Sequence, residues 1–115
     1  MKVNCESVRN GTFHVYTPNG QHYLVIRKDT AQSEVNLTTG DTSYFGIKWI
    51  SNCDFTAQYI SGGRMESKEQ EDFFKKMVAQ FSINKVTPLY YIFTGTVKTF
   101  KSNTTYTDTT WIKEK

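Results

Sequence analysis

Four side chains of this 115-residue chain are of the types that most often cross-link, bind metal or attack a carbonyl: Cys5, Cys53, His14 and His22. An even pair of cysteines, one near the N-terminus and one in the polar corner Ser51-Asn52-Cys53-Asp54, suits a disulfide. Closing that loop of roughly four dozen residues would stabilise the fold by roughly 3–4 kcal/mol in the chain-entropy model. Two free thiols in a reducing compartment are the alternative, and the residues alone leave both open. The histidines flank Thr17-Pro18-Asn19-Gly20. A three-residue loop there sets Tyr16 opposite His22 and His14 opposite Leu24, with both imidazoles diagonal on one face. A two-residue Asn-Gly loop would send them to opposite faces, but it needs an N–H from Pro18, which has none. Zinc takes three or four ligands. No third Cys, Asp or Glu is presented beside the pair, so no metal site is assigned.

Catalytic chemistry finds no footing. Glu66, Glu69, Glu71 and Asp72 cluster where a helix begins, which suits the helix dipole and a solvated first turn. No two carboxylates are singled out across a cleft, and no Ser or Cys stands beside a base. Gly62-Gly63 lacks the residues of a phosphate loop and reads as a flexible link. The expectation is a non-enzymatic chain without a cofactor. The aromatic residues have three uses. Phe13, Phe45, Trp49, Phe55, Tyr59 and Phe93 alternate as inward core residues do. Among them Phe45, Trp49, Tyr59 and Phe93 could instead line a small apolar cavity inside a barrel. Tyr90, Tyr91, Lys98 and Lys101 could form a stacking platform for single-stranded nucleic acid. Their interleaving is loose, and no nucleic acid is assigned.

These residues need elements to hold them, and the pattern supplies mostly strands. Thr42 to Ile60 reads as two strands doubling back through the Cys53 corner, with Phe45, Ile47 and Trp49 against Tyr44, Gly46 and Lys48, then Phe55, Ala57 and Tyr59 against Thr56 and Gln58. Before it come strands at Gly11–Tyr16, Gln21–Lys28 and Gln32–Thr38, the last with Val35 and Leu37 alternating against Glu34 and Asn36. After it, Ser67 and Gln70 fit a capping box for a helix carrying Phe73, Phe74, Met77 and Val78 on one side. The helical insert spans about 64–79. Period two resumes at Phe81–Lys85, then at Leu89–Thr94, and after a turn at Lys101-Ser102-Asn103 the last strand runs Thr104–Ile112. Short connections make neighbouring strands antiparallel. The fold class is therefore mostly β: an up-and-down meander of about eight strands forming a small, lipocalin-like barrel or half-barrel, with one helix between strands five and six.

Residues 1–115 form a single domain, large enough for a core of its own. The 15% aromatic content favours strands, and a net charge of +3 is too small for a phosphate-binding surface. No run approaches the ~20 apolar residues of a membrane helix. Met1-Lys2-Val3-Asn4 contains no apolar leader, and it does not match the small residues that precede a lipidated cysteine.

A leading Cys5 followed by Gly11-Thr12-Phe13, Tyr23-Leu24-Val25-Ile26-Arg27 and Gln32-Ser33-Glu34 resembles a family of short exported, β-rich proteins of Bacteroidetes bacteria. Phe45-Gly46-Ile47-Lys48-Trp49, Cys53-Asp54-Phe55 and the closing Tyr106-Thr107-Asp108-Thr109-Thr110-Trp111-Ile112 carry the same resemblance. It covers most of the chain outside about 62–79. It implies a periplasmic, outer-envelope or secreted location and supports the Cys5–Cys53 disulfide, and it carries over no catalytic or binding residue. The function expected from all of this is a non-catalytic envelope or secreted domain that holds a small apolar ligand in its barrel. A protein inhibitor or immunity-type partner, acting through loops and helix, is the alternative.

Overall fold

A computed structural model describes residues 4–63, 65–98 and 102–114. The start of the helical insert at residue 64, and Lys101 of the expected last turn, lie outside the described residues.

Eight antiparallel strands in sequence order close into a barrel: β1 (Asn10–Tyr16), β2 (His22–Lys28), β3 (Ala31–Asn36), β4 (Thr42–Trp49), β5 (Asp54–Gly62), β6 (Val78–Val86), β7 (Tyr90–Lys98) and β8 (Asn103–Trp111). One helix, α1 (Lys68–Lys76), lies between β5 and β6, and a 3₁₀ turn, Cys5–Val8, precedes β1. This is the expected meander, closed rather than half-open.

Turn chemistry sets the register of the first strands. Thr17 N–H donates to the Gln21 carbonyl at 2.9 Å and Gly20 N–H to the Thr17 carbonyl at 3.0 Å, with Gly20 at φ +85°. This three-residue loop pairs Tyr16 with His22 and His14 with Leu24, as the missing Pro18 donor requires. The next loop has two residues, Asp29 and Thr30, and pairs Arg27 with Gln32 and Val25 with Glu34. The inward face of β3 is therefore polar: Gln32 and Asn36 are buried and Glu34 partly so, whereas Leu37 is exposed.

The two ends of the barrel differ. At one end the 3₁₀ turn enters as a plug, with Cys5 and Val8 fully buried. Cys5 is disulfide-bonded to Cys53 in the β4–β5 corner, Cα to Cα 5.3 Å. Phe13, Val25, Ile47, Phe55, Ile83 and Tyr91 form the core above that plug. At the other end, the chain leaves β5 through Gly62 and Gly63, at φ +92° and +76°. A Cβ on Gly62 would stand 2.2 Å from the Thr42 carbonyl oxygen, and Gly63 N–H bonds that same oxygen at 2.7 Å. The pair is a tight bend that only glycine fits, which corrects the expectation of a flexible link.

Ser67 caps α1, its hydroxyl accepting from Gln70 N–H at 3.1 Å, while the Gln70 side chain accepts from Glu66 N–H at 2.8 Å. The helix stops at Lys76, three residues short of the expected end. Met77 is already extended, and Val78 and Ala79 pair with Gln58 and Ala57 of β5. The β5 edge offers hydrogen bonds that prolonging the helix would forfeit, and this outweighs the helical spacing of Val78.

Candidate functional site

The barrel interior is not filled. On β5 and β6 the next cross-strand pair on the same face as Phe55–Phe81 is Ala57–Ala79, and two methyl groups leave a void where the flanking pair places two rings. A cavity of about 370 Å³ occupies it, within the usual size range of small-molecule sites. Phe45, Tyr59, Phe74, Met65, Met77 and Phe81 form its apolar walls, with Gln32 and Glu34 at its inner end. Helix α1 roofs it through Phe74, whose ring lies 6.0 Å from that of Tyr59. A second bond holds the roof down, from Gln58 Nε2 to the Lys75 carbonyl at 2.5 Å. No residue of α1 is buried.

A smaller cavity of about 180 Å³ adjoins the first, and Gln32, Glu34 and Phe81 line both. Its other walls include Val15, Phe93, Tyr106 and Asp108. It lies behind the seam where β1 meets β8 at the single bridge His14–Trp111. Gly95 is buried there, and a Cβ on it would meet the rings of Tyr106 and Phe81 at 2.9 and 3.0 Å.

Of the four side chains expected around a cavity, Phe45 and Tyr59 line the larger one, their rings edge to face at 5.9 Å. Phe93 lines the smaller one. Trp49 lines neither. It sits at the plugged end, stacked under the Arg9 guanidinium at 4.6 Å, with its Nε1–H donating to the Asp29 carbonyl at 3.0 Å. Alternation along β4 puts Trp49 on the correct face, but at the wrong height along the barrel.

Sequence reasoning missed the polar chain inside. Arg27 is 3% exposed. Its Nε–H donates to Gln32 Oε1 at 2.8 Å, Nη1 to the Val8 carbonyl at 2.9 Å and Nη2 to the Tyr91 hydroxyl at 3.0 Å. Phe13 and Phe55 lie 5.0 and 5.1 Å from the guanidinium carbon, cation–π contacts that help a buried charge. Gln32 Nε2 in turn donates to Glu34 Oε2 at 2.8 Å, so Gln32 relays between a buried cation and a carboxylate. Burial pushes the Glu34 carboxyl above its ordinary value, against the opposing pull of the Gln32 hydrogen bond and the Arg27 charge. Burial also raises the Tyr106 hydroxyl, helped by the charges of Asp108 and Glu34. The two-residue Asp29-Thr30 loop was the available signal, because residues paired across a hairpin share a face.

On the outer surface His14 Nδ1 and His22 Nε2 are 2.9 Å apart, and Tyr16 stacks on His22 at 4.4 Å. The two imidazoles thus share a face. Among the described residues no group of three or more His, Cys, Asp or Glu side chains is placed to hold a metal. Tyr90 and Tyr91 face opposite ways, and Tyr91 is buried on Arg27, so the two do not form one stacking platform. No described helix is long and apolar enough to cross a membrane. A scan against protein-family models and searches of curated proteins and of solved structures return no match to this chain.

Proposed function

We propose that this chain is a non-catalytic binding domain that holds a small, largely apolar ligand in the barrel beneath α1. The observation that carries this reading is the cavity of about 370 Å³ opened by the Ala57–Ala79 pair between aromatic and Met walls. A chain selected only for stability gains by filling such a space, since lost packing around a void is costly. The thin roof, with no buried residue of its own, offers a way in. We place the protein outside the cytoplasm, where a disulfide persists. The Cys5–Cys53 bond and the resemblance to short exported proteins support that placement.

The test fills the void. Calorimetric titration of the folded protein with 1-octanol is expected to show saturable binding at one site. Ala79→Phe, which puts a ring into the cavity, is expected to weaken that binding at least about tenfold while the far-UV spectrum stays β-type. Binding that Ala79→Phe leaves unchanged, or no binding at all, would overturn the reading.

A further inference from the structure

We infer that the ligand carries a hydrogen-bond-donating, cationic head, of the class of a primary amine, and that Glu34 receives it. This rests on the cavity reading above and adds the chemistry of the head group.

The polar inner end of the site presents acceptors. Glu34 lines both cavities, and among the described residues one of its oxygens, Oε2, is engaged, by Gln32. Asp108 adds a second carboxylate on the smaller cavity. Among the described residues that line the two cavities the cation is Arg27, which lines only the smaller one and is turned inward. Its three nitrogens donate to Gln32, Val8 and Tyr91, rings of Phe13 and Phe55 flank it, and it is 3% exposed. A ligand carboxylate at this inner end would face Glu34 while the Arg27 donors are already taken, and like charges at short range repel. An ammonium group would meet a carboxylate in a site shielded from bulk water, where a charge-assisted hydrogen bond is strong. The aromatic residues Phe45, Tyr59 and Phe81 on the walls add to this, since aromatic rings attract a cation. The preference is local. The chain as a whole has a net charge of +3, which by long-range attraction alone would favour an anion.

Three chain-matched probes separate the possibilities: octylamine, 1-octanol and octanoate, titrated at neutral pH into the wild type and into Glu34→Gln. The structure predicts that octylamine binds at least about tenfold tighter than octanoate. It also predicts that Glu34→Gln removes most of that gap, with the 1-octanol affinity measured in each protein as the reference for the cavity itself. A smaller or reversed gap with 1-octanol still bound would overturn the cationic head and leave the cavity reading standing. An amine preference that survives Glu34→Gln would overturn the assignment to Glu34. Failure of all three probes to bind would overturn both.

Discussion

Glycines and one carboxylate carry the sharpest residue-level consequences. Gly62 and Gly20 share a positive φ, +92° and +85°, but differ in surroundings. A Cβ at Gly20 meets nothing within 4 Å, whereas at Gly62 it meets a backbone carbonyl at 2.2 Å. Gly20→Ala should therefore cost only the left-handed penalty, about 1–2 kcal/mol. Gly62→Ala should cost clearly more, about 3 kcal/mol or above, because the β4–β5 ladder must shift. Denaturant midpoints of the two variants decide it, and equal losses would contradict the account. Glu34 provides the pH-dependent case. Its folded-state value is raised above the ordinary 4.5 by burial. Between these two values the folded chain retains a proton that the unfolded chain has released, so this group lowers stability as pH rises through that window. Asp54 acts in the opposite direction: its carboxylate, held low by Ser51 and then Ser82, stabilises above its unfolded value and loses that contribution as pH falls. Because Asp54 is common to both proteins, Glu34→Gln should gain on the wild type as pH rises above the ordinary carboxyl value of 4.5. A difference in midpoint that does not grow over that range would contradict this.

Among the elements, the first hairpin was largely legible in the sequence, because Pro18 and Gly20 favour the three-residue loop over the two-residue one and the loop dictates every pair. The strand count and the N-cap at Ser67 were legible for the same reason: each is a local rule. The C-terminus of α1 was not. Phe73, Phe74, Met77 and Val78 keep helical spacing, and only the waiting edge of β5 turns Val78 and Ala79 into strand. The polar interior of β3 was half-legible, since Val35 and Leu37 look like the inward set until the register with β2 is counted. Among the described residues, the ring of Phe74 on Tyr59 and the bond from Gln58 to the Lys75 carbonyl tie helix α1 to the barrel. Phe74→Ala should barely change global stability, yet weaken 1-octanol binding about fivefold, the equivalent of roughly 1 kcal/mol of lost apolar contact. Unchanged affinity in a calorimetric titration would mean that α1 is not part of the site.

At the scale of the molecule, β7 and β8 pair along their full nine residues, while β1 and β8 share one bridge. The strands β6 to β8 run past the seam, and the chain is elongated to 46 × 30 × 25 Å. A barrel so lightly closed depends on its plug. Reducing the Cys5–Cys53 bond, or replacing both residues with serine, should cost roughly 3–4 kcal/mol and leave the strand content intact. Equal stability of the oxidised and reduced protein in urea would remove the plug from the account. The cavity itself was legible only as a possibility. Alternation shows which residues point inward, but not whether they meet, and that depends on two alanines falling opposite each other.

The central claim is that a small molecule enters beneath α1. Met65 and Met77 stand on the wall of the larger cavity, so their methyl groups report on its contents. With ¹³C-methyl methionine in the folded protein, adding 1-octanol should shift both signals saturably and to the same end point in Ala57- and Ala79-intact chain, and leave them still in Ala79→Phe. Methyl signals that do not move in the wild type, or that move equally in both proteins, would contradict it.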